Sequence, residues 1–196
     1  MTDVRRRHTL AVLRGAATAA AAGPMAWHAL AAPPTAPVPP VLPSPAAGDE
    51  RTLHAWRPAR APVLAATDLI TGQPRTLADF AGGPLLVNFW ASWCGPCRVE
   101  MPGLNALAER LAPSGLRFVA ANHGEMPERV RRFLAEVPLQ ATVVLDRSQT
   151  LLPAWGGGNA LPATFLFDGR GQPRLWAQGE RDWTDADLVR AVQALR

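Results

Sequence analysis

The chain contains two cysteines, Cys94 and Cys97, which are separated by Gly95 and Pro96. The apolar run at 85–90 directly before them predicts a buried strand, and the residues after them predict a helix. This spacing lets one thiolate attack a substrate disulfide while the second thiol waits to resolve the mixed disulfide. A helix N-terminus lowers the pKa of the leading thiol from about 8.5 toward about 7 or below, so more of it is reactive thiolate. The pattern therefore indicates thiol–disulfide exchange.

Two other uses of such a pair are a structural disulfide and a metal site. A disulfide that closes so short a loop constrains the unfolded chain little and adds little stability. A zinc site needs two further ligands, and beyond residue 31 only His54 and His123 remain, not in a ligand-like pair. The thiolates could also hold Cu(I) in a metal chaperone, with little more than Met101 and His123 nearby. A redox centre without metal or cofactor is the favoured interpretation.

The composition suits one globular domain, and the charge is unevenly placed. The chain has 196 residues, 48% of them apolar, enough to bury a core. Of its 20 basic and 16 acidic residues, four arginines and one acid lie within residues 1–31, which leaves 16 basic residues against 15 acids. The sequence pI of about 10.7 therefore does not reflect a basic stripe for phosphates, and nucleic acid is excluded as a partner.

Residues 1–31 have the features of an export signal. Residues 5–7 are arginines, an alanine- and leucine-rich stretch follows, and residues 29–31 fit a small-x-small cleavage site. Arg14 and His28 interrupt the apolar stretch, so a retained membrane anchor is the weaker alternative. The globular part is expected in the periplasm or another extracytoplasmic compartment, which is oxidising.

A linker is expected at 32–55, and its proline- and alanine-rich part at 32–48 suits an extended spacer. The folded domain is then expected at 56–196. Residues 63–67 and 75–78 flank a turn and predict a β-hairpin. A helix is predicted to begin near Cys94, because Leu104, Leu107, Ala108 and Leu111 repeat at helical spacing. Pro102, inside this helix, should kink it. The later predicted elements are a strand at 116–121, a helix at 130–137, a strand at 142–145, a short helix at 148–155 and antiparallel strands at 164–167 and 174–177.

The last helix has an explicit predicted start. Thr184 is placed to cap it with Asp187 at the third helical position, and Trp183 and Leu188 are placed as a hydrophobic staple. After the hairpin the predicted order is βαβαβαββα. This order predicts an α/β sheet with helices on both faces.

The stretch at 87–102, VNFWASWCGPCRVEMP, resembles the thioredoxin superfamily and, within it, the extracytoplasmic TlpA/ResA-like thiol–disulfide oxidoreductases. The similarity covers about residues 56–196. It implies a thioredoxin-like fold with an N-terminal β-hairpin and an inserted strand–helix element. Leu161 and Pro162 match the family's cis-proline loop, which lies beside the cysteines. The approach at 155–162 is one residue longer than usual and has glycine where a branched apolar residue is typical.

The positions of the residues, together with the resemblance, predict roles at the site. Cys94 is expected to be the nucleophile and Cys97 the more buried, resolving thiol, so Cys94–Cys97 is the redox-active disulfide. Trp90, on the strand, is expected in the core, and His123 is expected to be a solvated loop histidine. The residues expected to contact substrate are Trp93, Gly95, Pro96, Leu161 and Pro162.

Glu100 lies three residues after Cys97 and shares its helix face. One interpretation is a first-turn glutamate that favours the helix dipole. The other is a proton acceptor for Cys97, which must lose its proton to resolve the mixed disulfide. Asn88 stands where thioredoxins have a buried aspartate, and asparagine cannot accept a proton. The TlpA/ResA branch is similar to this chain in placing a glutamate at the position of Glu100.

The expected direction of the reaction is reduction. Gly95 and Pro96 supply no cation or imidazole to over-stabilise the Cys94 thiolate, which predicts a low reduction potential. Arg98 is a counterweight, because its charge would favour the thiolate if it folded back. An oxidant or isomerase is the alternative, beside the metal chaperone.

The resemblance implies exported protein substrates whose cysteine disulfides must be reduced before haem or metal attachment, as in cytochrome c biogenesis. Because the compartment is oxidising, a membrane electron donor is expected to resupply the reductant.

Overall fold

The structure is a computed structural model that describes Leu42 and residues 52–196. The expected signal segment at 1–31 and most of the linker lie outside the described residues. Within these residues, eight strands form one mixed sheet in the order β1-β8-β7-β4-β5-β6-β2-β3. The strands are β1 His54–Ala55, β2 Ala66–Asp68, β3 Pro74–Arg75, β4 Leu85–Trp90, β5 Arg117–His123, β6 Thr142–Asp146, β7 Ala163–Phe167 and β8 Pro173–Gln178. The helices are α1 Gly95–Leu111, α2 Pro127–Glu136, α3 Leu151–Ala154 and α4 Ala186–Gln193, with 3₁₀ turns at Leu77–Phe80 and Ala112–Ser114.

Strand β4 lies in the middle of the sheet, and all six of its residues are buried. It runs parallel to β5, which runs parallel to β6, and the helices α1 and α2 make the two crossovers. On its other side β4 pairs antiparallel with β7. The carboxyl end of β4 therefore lies beside the carboxyl end of β5 and the amino end of β7, and all three converge on one edge of the sheet.

The two faces of β4 face separate apolar cores, because successive side chains along a strand point to opposite faces. Leu86 and Trp90 pack with buried residues of α1, α2 and α4. Leu85, Val87 and Phe89 pack on the other face with residues of α3 and of the flanking strands. Helices thus cover both faces, and the predicted α/β class is confirmed.

The order of elements after the hairpin agrees with the predicted order, but several details differ. The second strand of the hairpin ends at Arg75, and a 3₁₀ turn over Leu77–Phe80 replaces its expected continuation to Ala78. Helix α4 is capped by Asp185 and not by Thr184, since the Asp185 carboxylate accepts two backbone hydrogen bonds from the first turn. The predicted cap is wrong because the Thr184 hydroxyl donates to Asp182 instead.

The folded part also extends into the stretch assigned to the linker. Strand β1, His54–Ala55, pairs with β8 at the sheet edge, so the sheet begins before Trp56. Within the expected spacer, the backbone N–H of Leu42 donates to the Gly156 carbonyl at 2.8 Å, and the Leu42 side chain packs against the core that contains Phe89. Among the helices that the structure describes, none is long and apolar enough to cross a membrane.

Candidate active site

The cysteine pair lies at the start of α1, just after the short loop that follows β4. Cys94 is the N-cap of α1, and Cys97 is its third residue. The two sulfurs form a disulfide of 2.03 Å. Cys94 is 5% exposed and Cys97 is 1% exposed, so the leading sulfur is the more accessible of the two. The backbone N–H of Cys97 donates to Cys94 Sγ at 3.2 Å, which is the contact that a helix start offers to a thiolate.

The expected substrate-contacting residues lie next to the cysteines in the chain or on the loop that leads into β7. Trp93 is 61% exposed immediately before Cys94. The Leu161–Pro162 peptide bond is cis. Pro162 directly precedes β7, whose Ala163 pairs with Phe89 near the carboxyl end of β4. This register brings the proline loop to the sheet edge that carries the cysteines. Gly95 and Pro96, the two residues between the cysteines, are exposed.

Glu100 is buried, with 3% of its surface exposed, on the inner side of α1. Its Oε1 accepts a hydrogen bond from Asn88 Nδ2 at 2.7 Å. Its Oε2 accepts from Trp183 Nε1 at 3.1 Å and from the backbone N–H of Arg181 at 3.2 Å. Because it is the sixth residue of α1, it lies beyond the first turn. The helix-dipole interpretation is therefore wrong.

The environment of Glu100 changes its acidity. Burial raises the pKa of its carboxyl from 4.5 to about 7, although the hydrogen bonds from Trp183 and Asn88 oppose that rise. The residue also lines a cavity of about 540 Å³ together with Val99, Gly103 and the segment 180–185. A carboxyl so placed exchanges its proton near neutral pH, on the same helix as Cys97.

Asn88 joins this carboxyl to the proline loop. Its Nδ2 also donates to Thr164 Oγ1 at 3.0 Å, and Thr164 lies two residues after Pro162. The amide therefore spans α1, β4 and β7 in the buried layer under the cysteines. An aspartate here would place a second carboxylate beside Glu100, and like charges at this distance oppose each other's ionisation.

The structure also shows where His123 and Arg98 lie. His123 is the last residue of β5 and is 4% exposed, with Nδ1 3.7 Å from Asp146 Oδ2. The prediction of a solvated loop histidine is wrong because β5 runs two residues further than expected. The Arg98 guanidinium carbon lies 5.5 Å from the centroid of the Phe133 ring on α2, a cation–π contact.

Sequence reasoning missed Glu125, which follows β5 at the same sheet edge. Its buried carboxylate accepts hydrogen bonds from the backbone and the hydroxyl of Ser92, two residues before Cys94. Its position could have indicated it, because polar residues that directly follow parallel strands meet at the same end of the sheet.

Residues 59–191 of the chain match the Redoxin family. The chain belongs to this family. Thiol-disulfide oxidoreductase ResA of Geobacillus kaustophilus is 34% identical over 136 residues, which are 69% of this chain and 76% of that protein. Thiol:disulfide interchange protein HelX of Rhodobacter capsulatus is 37% identical over 114 residues, 57% of this chain and 62% of HelX.

A solved structure agrees with this assignment. The putative thiol:disulfide interchange protein DsbE from Chlorobium tepidum superposes with a TM-score of 0.64 at 30% identity, covering 74% of this chain and 99% of that one. This Redoxin-family chain is thus a ResA-like thiol–disulfide oxidoreductase of the thioredoxin superfamily, with Cys94 and Cys97 forming its CxxC pair.

Proposed function

We propose that this protein is an exported reductant of protein disulfides. The observation that carries the proposal is how little stabilises a Cys94 thiolate. Within the described residues, the hydrogen bond to Cys94 Sγ comes from a backbone N–H, that of Cys97. The intervening Gly95 and Pro96 add no charge, and the Arg98 guanidinium lies on Phe133. A weakly stabilised dithiol gives up its electrons more readily, which corresponds to a lower reduction potential.

The reaction runs in two exchanges. The Cys94 thiolate attacks one sulfur of the substrate disulfide, forms a mixed disulfide and releases the first substrate thiol. Cys97 then attacks Cys94 Sγ in the mixed disulfide, re-forms the Cys94–Cys97 bond and releases the second substrate thiol. Two electrons pass from the dithiol to the substrate, and Cys97 gives up one proton before its attack.

Glu100 is the proposed acceptor of the Cys97 proton. It shares a helix face with Cys97, and burial sets the pKa of its carboxyl at about 7. A base is most effective when its pKa lies near the working pH. Glu100 lines a cavity. Water that enters this cavity can reach the carboxyl and remove the accepted proton.

The proposed substrates are extended, cysteine-containing segments of exported proteins, reduced before haem or metal attachment. The exposed Trp93 offers an apolar contact next to the nucleophile. The Leu161 backbone beside Pro162 offers main-chain hydrogen bonds to a segment that lies along the loop. The charged and apolar pattern of residues 1–31 supports export. Since an oxidising compartment does not regenerate a dithiol, a membrane electron donor completes the cycle.

The test is the reduction potential of the purified chain, measured by equilibration with defined dithiothreitol ratios and thiol trapping. We expect a value nearer to the about −270 mV of thioredoxin than to the about −120 mV of a strong periplasmic oxidant. A potential above about −180 mV, the range of isomerases and oxidants, would contradict a reductant.

A further inference from the structure

The carboxylate of Glu125 has no part in the exchange reaction described above, yet it is 7% exposed and fully engaged. Its Oε2 accepts from the backbone N–H of Ser92 at 2.7 Å and from Asn122 Nδ2 at 2.8 Å. Its Oε1 accepts from Ser92 Oγ at 2.6 Å and from Arg129 Nε at 2.7 Å. Four donors from three segments thus converge on one buried carboxylate.

Ser92 is the residue through which this carboxylate reaches the active site. Both its backbone and its side chain are held by Glu125, and Arg129 Nε approaches its hydroxyl at 2.9 Å. Trp93 and Cys94 follow directly, and the backbone N–H of Cys94 closes a turn onto the Ala91 carbonyl at 3.1 Å. The conformation of the segment that presents the nucleophile is therefore fixed from the side of α2.

The charge of Glu125 suits a permanent anchor. Burial by itself would raise the pKa of the carboxyl, but the hydrogen bonds from Ser92, Asn122 and Arg129 outweigh burial and lower the pKa below its usual value. The group is thus ionised at neutral pH. Hydrogen bonds to an ionised acceptor are roughly twice as strong as those between neutral groups.

We propose that Glu125 is a positioning residue that holds the segment Ser92–Cys94 and thereby sets the rate at which Cys94 attacks a disulfide. The inference rests on the proposed role of Cys94 as the attacking thiol. It assigns Glu125 to the first exchange and not to the resolution by Cys97, because its contacts end at Ser92 while Cys97 lies within α1.

The variant Glu125→Gln tests this, since it keeps the side-chain size but replaces one acceptor oxygen with an amide that faces donors. The matched control is Glu128→Gln, whose side chain is 71% exposed in the first turn of α2. Ser92→Ala serves as a second variant. It removes the hydroxyl that donates to Glu125 Oε1 and accepts from Arg129 Nε. All three are made in the full chain carrying Cys97→Ser, so that only Cys94 can react, with folding checked by circular dichroism.

The readout is the second-order rate of mixed-disulfide formation with oxidised glutathione and with a disulfide-bonded peptide. We expect Glu125→Gln and Ser92→Ala to slow the attack at least about tenfold, within the range that misplacement of reacting groups costs. Glu128→Gln should change it less than about twofold, as an exposed surface substitution does. In the chain with both cysteines, Glu125→Gln should leave the pH dependence of resolution unchanged.

A folded Glu125→Gln variant with an attack rate within about twofold of its parent, the range of surface substitutions, would overturn the proposal. Lower stability without slower attack would do the same, because it would reduce Glu125 to a structural residue. If Glu125→Gln does not fold, Ser92→Ala decides by the same criterion. Failure of the Cys97→Ser parent itself to form mixed disulfide would instead overturn the assignment of Cys94 as nucleophile.

Discussion

Two buried glutamates lie on either side of the CxxC segment, and they differ in ionisation. Glu100, on α1, accepts hydrogen bonds from an asparagine amide, an indole and a backbone N–H, and burial dominates, raising its pKa to about 7. Glu125, after β5, accepts from a hydroxyl, an amide, a backbone N–H and the Arg129 guanidinium, and its pKa is lowered.

The difference shows that burial alone does not decide what a carboxyl does. The hydrogen-bond donors to Glu100 are neutral, so its ionised form is only partly compensated and a proton is taken up easily. The donors to Glu125 include a cation and a short hydroxyl contact, so the ionised form is retained. We infer that Glu100 accepts the proton of Cys97, while Glu125 holds the segment that carries the nucleophile.

The largest expected effect comes from the cysteines, whose order gives the two glutamates their separate steps. Cys94→Ser should abolish disulfide reduction, because the leading thiol, the more accessible of the two, makes the attack. Cys97→Ser should still attack and trap substrate as a mixed disulfide, detected on non-reducing gels. Trapping by Cys94→Ser instead would reverse the assignment and remove the comparison.

The next effect is on the pH dependence of stability through Glu100. Because the folded-state pKa is raised from 4.5 to about 7, the folded chain holds a proton that the unfolded chain releases between those values. The wild-type chain should therefore lose about 3 kcal/mol of unfolding free energy as pH rises through that window. Urea unfolding of the oxidised protein should show this loss in the wild type and not in Glu100→Gln. Parallel curves for the two proteins would show that Glu100 does not hold this proton.

Glu125 should show the opposite sign. Its folded-state pKa is lowered, so its contribution is present above the unfolded value of about 4.5 and is lost as pH falls through the folded value. At pH 7, Glu125→Gln should cost about 1–3 kcal/mol, because buried donors lose their acceptor. The same urea series should give a curve that is flatter than wild type below pH 4.5. If Glu125→Gln were as stable as Glu128→Gln at pH 7, the result would contradict the role of Glu125 in holding this segment.

The smallest effect sharpens the assignment of Glu100. Trp183→Phe removes the indole donor to Oε2, and that donor lowers the pKa of the carboxyl. Its loss should move the midpoint of the resolution rate upward by about one pH unit, the equivalent of a 1.4 kcal/mol hydrogen bond. Rapid mixing of the mixed disulfide at several pH values measures this. A midpoint that stays in place would separate the resolution rate from the ionisation of Glu100.

Local sequence pattern predicted the elements around the cysteines, because β4 is a continuous apolar run and the face of α1 repeats at helical spacing. The same reasoning failed where partners are remote in the chain. Strand β1 has two residues and exists through its pairing with β8. The predicted start of α4 at Thr184 failed because the Thr184 hydroxyl donates to Asp182 and Asp185 caps the helix instead.

At the site, residue types and spacing identified Cys94, Cys97 and Glu100, but not what surrounds the carboxyls. Trp183 reaches Glu100 across 83 positions of sequence, and Ser92 reaches Glu125 across 33. No local periodicity encodes such contacts. The burial of His123 was missed for a related reason, since it follows from the register of β5 against Asp146 on β6.

The resolution rate of a preformed Cys94 mixed disulfide, measured in single turnover from pH 5 to 9, tests the role of Glu100 most directly. The wild type should resolve faster as pH rises, with a midpoint near the pKa of about 7, because Glu100 must be ionised to accept the Cys97 proton. Glu100→Gln should be about 100- to 10,000-fold slower, the usual worth of a general base, with that midpoint lost. A Glu100→Gln rate within about threefold of wild type, far below that range, would contradict the assignment.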